Sequence, residues 1–412
     1  MINTNILSSF PEKEELLQSV VSDPDDILDI NGHIHSPYSF SAFENIEQAI
    51  RMATIEKVKV LGINDFYSTA GYTLFHDQCV KNAIFPLFNI EFIGLDKKFQ
   101  SEGIRVNDPN NPGRVYFSGK GLLYPFSLPE KAMNILLSVR NESQKQVAAM
   151  VDKVVELLQR IDAPFDFSMG DLMRGYGRDL VRERHIAKAI RAKTFAAFPD
   201  AQHRVMFLTA LFGGKKPTSA LNDIAGLEEE IRSVLLKAGG PAFVPEDENA
   251  FLPVEDIQNL ILQAGGIPCY PVLLDDKNGN YTDFEKDKEQ LFNALTQKSV
   301  YAIELIPGRN DFHRLKDFVR YFYDKKFIVT FGTEHNSPLL SPVKVSCRGN
   351  VALDDELRKI AYDGACVIAA HQYLKAKELG AYVDTNGNAD MKHMNEYIQL
   401  GNAVIKKITH KK

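Results

Sequence analysis

With 412 residues, 44% of them hydrophobic, the chain can bury a large core, as one barrel carrying an insertion or as two domains, and a wholly disordered protein is excluded. A formal net charge of −6 offers no global positive field, which argues against long-duplex nucleic-acid binding and leaves only a local basic patch for phosphates. Met1 to Leu7 shows no basic segment followed by a sustained apolar one, and no run approaches the roughly 20 apolar residues that span a bilayer, so a soluble, cytoplasmic protein without a membrane partner is expected.

The first strand signal is Ile27, Leu28 and Ile30 around Asp29, followed by a turn-like Asn31-Gly32 and then His33-Ile34-His35-Ser36-Pro37-Tyr38-Ser39. Two imidazoles one residue apart on a strand point to the same side and can grip one metal ion together. Ile46, Ala49, Ile50 and Ala53 then recur at helical spacing. The apolar run Val58 to Ile63 leads to Asp65, and the run Ile84 to Ile90 ends at Glu91. A further strand is expected at Arg114 to Ser118, after the turn-rich stretch Asn107 to Gly113.

From about Ser143 to about Glu248 the pattern is mostly helical, with Val147, Met150, Val151, Val154, Val155 and Leu158 on one face and the theme repeated from Leu227 to Leu236. A helix containing Ile257, Leu260 and Ile261 leads to a strand at Gly265 to Pro271. Val300 to Ile303 is closed by Glu304, and Phe327 to Phe331 is followed by Glu334. After Pro342 the tail is again largely helical, with Ala369, Ala370, His371 and Tyr373 near its core. Cys79, Cys269, Cys347 and Cys366 are far apart and form no Cys-x-x-Cys unit, so buried free thiols are expected rather than a disulfide framework or a zinc knuckle.

Alternation of strand and helix signals reads as βαβ units in a parallel sheet or barrel. Short apolar runs closed by carboxylates (Asp65, Glu91, Glu304, Glu334) gain weight by repetition, because the carboxyl ends of parallel strands converge on the face where sites are built. The expected organisation is residues 1–142 as the first part of a barrel, 143–248 as a helical insertion, 249–345 as the second part of the barrel and 346–412 as a helical C-terminal extension.

These residues resemble the polymerase and histidinol phosphatase (PHP) superfamily over roughly Ile27 to Asn336. His33-Ile34-His35-Ser36 with Tyr38-Ser39 matches its opening His-x-His-Ser motif, Leu61-Gly62-Ile63-Asn64-Asp65 matches its strand ending in Asp-His, and Asn89-Ile90-Glu91 looks like the motif of its bridging glutamate. The resemblance implies an α/β fold, a distorted seven-stranded (β/α) barrel with metal ions at the carboxyl ends of the strands. The insertion is similar to that of the 3′,5′-nucleoside bisphosphate phosphatases and related exoribonucleases. There Arg184-His185-Ile186-Ala187 resembles an Arg-Pro-His-Ile-Ala stretch, with Arg184 in the proline place and Glu183 in the arginine place, and Ala264-Gly265-Gly266-Ile267 resembles the lead-in to an Ala-His-Pro motif.

Departures from the family fall on its ligands. Phe66, Tyr116 and Tyr270 stand where histidines are expected, and Glu334-His335-Asn336 stands for Asp-x-His. A phenol loses its proton only near pKa 10 and is a poor ligand for ordinary divalent ions at neutral pH, so one of the family's usual three metal positions is expected to be empty or walled by polar groups.

What remains, on the resemblance, is His33, His35, Glu91 and Glu334 as ligands for manganese, zinc or iron. Asp65 and Asn336 could bind a second ion, giving one or two in all, and an alternative register makes His335 the ligand. Asp65 and His185 are the expected catalytic groups, and Arg184, Tyr116 and Tyr270 the expected substrate contacts, with Lys215 and Arg309 as further candidates for phosphate. Arg184 and His185 read equally well as a solvated helix face, and Glu304 as an acid that orients a ligand histidine or as a structural one, whereas the two tyrosines, weighed against ordinary core aromatics, read as pocket lining because they stand together at former ligand positions. His76, His203, His313, His371, His393 and His410 match no motif and read as surface or satisfied core histidines. The expected function is a metal-dependent phosphoesterase that directs a metal-activated water at a small phosphorylated metabolite or nucleotide, short oligonucleotides included, with no stable nucleic-acid complex. The alternatives are a hydrolase or lyase acting on a sugar-like substrate and a non-catalytic binding module.

Overall fold

The computed structural model describes residues 5–19, 27–275, 280–282 and 284–410; part of the N-terminal stretch read above for a leader, Met1 to Thr4, lies outside them. Seven strands form one sheet in chain order: β1 (Asp29–Ile34), β2 (Val58–Phe66), β3 (Phe85–Leu95), β4 (Arg114–Lys120), β5 (Ile267–Pro271), β6 (Ala302–Leu305) and β7 (Ile328–Phe331). The ends of the sheet meet through a parallel bridge between Ile34 and Glu334, where the His35 N–H donates to the Glu334 carbonyl at 2.6 Å. The result is the expected α/β barrel, nearly closed.

Crossover helices explain why most neighbours are parallel. Ile46–Ile55 joins β1 to β2 and buries Ile46, Ala49, Ile50 and Ala53, and Phe312–Asp324 joins β6 to β7. β4 breaks the pattern, running antiparallel to both β3 and β5. A parallel return needs a long crossover, usually a helix, and the β3–β4 connection holds only the short helix Lys97–Ser101. Asn31-Gly32 is no turn: both residues lie within β1, where the Asn31 side chain accepts the His33 N–H at 3.1 Å and the pairing with β2 becomes irregular. All eleven residues of β3 are buried, as expected for a strand covered on both faces.

Two apolar clusters form the interior. The larger joins the barrel strands, their crossover helices and the C-terminal helices, and the smaller lies within the helical segment. Helix Glu130–Arg160 spans both: Ala132, Leu136 and Val139 enter the barrel cluster, and Val147 to Leu158 enter the second. The C-terminal tail is part of the barrel core. Helix Asp355–Ala376 crosses β7 so closely that a Cβ on Gly364 would stand 2.1 Å from the Val329 carbonyl, and one on Gly401 of helix Met394–Thr409 would stand 1.8 Å from that of Cys366. Before those helices the tail also holds a small hairpin, Ser346–Cys347 with Val351–Ala352. All four cysteines are buried and free, and no helix among the described residues is long and apolar enough to cross a membrane.

Beneath the barrel, Gln372 accepts the Phe88 N–H at 3.0 Å and donates to the Pro86 carbonyl at 3.2 Å, while His371 Nε2 bonds the Gly265 carbonyl at 2.7 Å. Burial, opposed by that carbonyl, lowers the His371 pKa from 6.5 to about 4. A depressed folded-state pKa means that the unfolded chain binds the proton first, so this contribution is complete above pH 6.5 and is lost as pH falls towards 4. Thermal or urea unfolding of the wild type should therefore show stability falling across that window, by up to about 3 kcal/mol from this group. His371→Gln should flatten the fall; an unchanged slope would contradict the assignment.

Candidate metal centre

His33 lies on β1 and His35 just beyond its end, and their Nε2 atoms stand 3.1 Å apart. Glu91 Oε2, contributed by β3, is 3.2 Å from His35 Nε2 and 4.0 Å from His33 Nε2. All three side chains are buried, and they are the one group among the described residues whose ligand atoms lie close enough together to hold an ion. Donors about 2.1 Å from one ion lie about 3.0–3.4 Å from each other in octahedral or tetrahedral geometry, so the separations of 3.1 and 3.2 Å fit a divalent cation, and the 4.0 Å separation of Glu91 from His33 is wider. Its chemistry, two imidazoles and a carboxylate, suits zinc, manganese or iron.

The outer nitrogens of both rings are held. His33 Nδ1 meets Glu304 Oε2 at 2.9 Å, and the other oxygen of Glu304 accepts from Lys120 Nζ at 2.5 Å, all three side chains being buried. Such partners fix a ligand's tautomer and orientation. Burial pushes Glu304 up, but His33 and Lys120 overcome it and bring its pKa down to about 2. His35 Nδ1 lies 3.2 Å from Ser39 Oγ, and burial lowers the His35 pKa, which keeps the ring neutral and able to ligate. Burial raises Glu91 to about 8 against the pull of His33, so this carboxylate is held uncharged near neutrality until a cation compensates it. Asn64 Nδ2 lies about 3 Å from His33 and donates to Ser118 Oγ at 3.3 Å. Its Oδ1 is a buried acceptor without a partner among the described residues.

The other expected site residues divide. Asp65 accepts from Ser36 N (2.7 Å), Ser36 Oγ (2.5 Å) and Ser39 Oγ (2.6 Å), so its oxygens shape the loop that carries His35. The Glu334 carboxylate faces the cavity and is paired with Arg309; burial raises its pKa, and the Arg309 and histidine charges reverse this to a net lowering. His335 has both nitrogens engaged, with Thr333 Oγ1 and the Ser341 carbonyl at 2.9 Å each, and its ring stacks on Phe43. Glu334 and His335 both adopt left-handed backbone (φ 60° and 59°), a conformation that side-chain-bearing residues keep only where the surroundings impose it.

Tyr116 and Asn336 line the cavity of about 280 Å³ above the ligands. Tyr270 does not reach it, because its hydroxyl donates to Glu285 at 3.0 Å. Arg184 is paired with Glu229 at 2.8 Å. His185 Nδ1 accepts the Arg182 N–H at 2.9 Å, burial lowers its pKa to about 3, and the ring lines a separate cleft with Arg178 and Lys188. Lys215 is exposed and lines neither cavity.

Sequence reasoning missed Lys120 and Arg182. Tyr116, Ser118 and Lys120 alternate along β4 and face the barrel interior, so a lysine in register with a candidate pocket tyrosine was the available signal. Arg182 lies 4.7 Å above the Phe66 ring, which in turn stacks on His35 with centroids 5.0 Å apart. Nothing in the sequence distinguishes it from the neighbouring arginines.

No family model and no curated protein matches this chain. Among solved structures it is similar to a Bifidobacterium adolescentis protein provisionally described as a metal-dependent phosphoesterase, at 16% identity over 81% of this chain and 94% of that one, with a TM-score of 0.49. It is also similar to an amidohydrolase from Chromobacterium violaceum with bound sulfate and no metal, at 16% identity over 78% and 93% of the respective chains, with a TM-score of 0.46. Likeness at this level says nothing about chemistry.

His33→Ala should abolish binding of Zn²⁺ or Mn²⁺ by the full chain, and Glu304→Gln should weaken it about 10–100-fold by releasing the His33 ring. Calorimetric titration of chelator-stripped protein measures both. Wild-type affinity in either variant would contradict the ligand assignment.

Proposed function

We propose that the chain is a metal-dependent hydrolase of the PHP type acting on phosphoesters of small molecules, nucleotides included. The observation that carries this reading is the continuity of two cavities. The one above His33 and Glu91 shares Phe66, Asp108, Asn110, Tyr116 and Asn336 with a cleft against the helical segment, where Arg114, Arg182, Arg184 and Arg232 lie. A phosphoryl group at the ligand cluster would thus have guanidinium groups beside it.

A divalent ion at this site supplies Lewis acidity and an activated water. The chain supplies position and charge. His33 and His35 are oriented from behind by Glu304 and Ser39. Arg182 is the least committed arginine of the cleft, its nearest carboxylate being Glu183 at 4.0 Å, whereas Arg114, Arg184 and Arg232 hold carboxylates at 2.7–2.8 Å. It can place two parallel N–H donors on non-bridging phosphoryl oxygens. Burial raises the Tyr116 pKa well above its usual value, so the phenol stays protonated and serves as an O–H donor in the wall common to both cavities.

A second reading, hydrolysis or elimination on a sugar-like substrate, is favoured by the uncharged side chains of Asn110, Tyr116 and Asn336, which share the wall beside the ligands with Asp108. A panel of phosphomonoesters, nucleoside bisphosphates and short RNA, run beside amides and neutral glycosides with Mn²⁺, Zn²⁺ or Fe²⁺, separates the two. The expected result is turnover of phosphoesters alone, abolished by chelation. Arg182→Met should lower kcat/KM by about 10–100-fold, the worth of charged hydrogen bonds, and Arg184→Met by much less. Turnover confined to the neutral substrates would overturn the phosphoester reading.

A further inference from the structure

We propose that the centre takes a single divalent ion and that the buried ammonium of Lys120 helps to hold it to one. This rests on the reading of the site as a metal centre. Four carboxylates surround the two histidines, and three of them are already committed. Glu304 is bound by Lys120 at 2.5 Å, Glu334 by Arg309, and Asp65 by Ser36 and Ser39. Among the described residues, the Glu91 side chain alone meets nothing but the histidines, at 3.2 and 4.0 Å.

Lys120 is the unusual member. Its side chain is 1% exposed, as is that of Glu304, and a lysine is almost never buried so completely unless it is paired. The carboxylate that neutralises it is the one that orients His33. The ammonium therefore cancels, from the barrel floor, a charge that would otherwise add to the field at the ligand cluster. With Arg309 on Glu334 as well, two fixed cations leave the four carboxylates a net charge of −2, Arg182 being paired with Glu183. The remainder suits one divalent ion and opposes a second.

The imidazole donors that the resemblance implied for further ions are missing as well. Phe66 has none, Tyr116 is a protonated phenol, Tyr270 is turned to Glu285, and both nitrogens of His335 are engaged.

The test strips the full chain with chelator, reloads it with Mn²⁺ or Zn²⁺ at pH 8, and reads bound ions per chain by elemental analysis and affinity by calorimetry. Wild-type protein should saturate at one ion per chain, and two or more would overturn the proposal. Folded Lys120→Met should bind the ion at least about tenfold tighter, since a positive charge one carboxylate away from a ligand is gone, and Lys120→Arg should match wild type. Unchanged affinity in Lys120→Met would overturn the role of Lys120; if that variant does not fold, the wild-type count still decides on the single ion. Saturation at zero ions would fail differently, by removing the metal reading itself.

Discussion

His33 Nε2 and His35 Nε2 face each other 3.1 Å apart inside the barrel, with Glu91 closing the triangle. At most one of the two nitrogens can donate to the other, and burial holds the Glu91 carboxylate away from its charged form. A cation resolves both conflicts at once. The surroundings are arranged to keep the convergence in place rather than relieve it: Glu304 fixes one ring, Ser39 the other, and Asp65 ties down the loop that carries Ser36 and Ser39.

That arrangement is costly. The Lys120–Glu304 pair is fully buried, and removing one member of such a pair leaves an uncompensated charge at about 3–5 kcal/mol. Two successive residues, Glu334 and His335, are held in left-handed backbone where β7 meets β1. The same turn closes the barrel through its hydrogen bonds to His33 and His35 and delivers the Glu334 carboxylate to the cavity, so fold closure and site assembly are one structural event.

Much of this could be read from residue order. His33 and His35 sit on one strand at the spacing that aligns side chains, and Asp65, Glu91 and Glu304 close or interrupt apolar runs, so the convergence of strand ends brings them together. Strand direction was less legible. The apolar run around Val115 and Phe117 looks the same whether it is paired parallel or antiparallel, and the absence of a crossover helix before it becomes telling only when the loop is seen. Side-chain commitments were legible least. Tyr270 and Tyr116 both stand where the sequence resemblance implied histidines, yet the carboxylate of Glu285, distant from the motif, turns one away while the other faces the cavity. Arg184 is held by Glu229, which comes from another helix of the fold, whereas Arg182 has its own neighbour Glu183 at 4.0 Å.

The most direct test is anomalous diffraction at the zinc edge from crystals of the full chain grown with Zn²⁺. The account predicts one strong peak about 2.0–2.2 Å from His33 Nε2, His35 Nε2 and an oxygen of Glu91. Electron density showing those three side chains with no anomalous peak between them, or zinc bound only elsewhere on the chain, would contradict it.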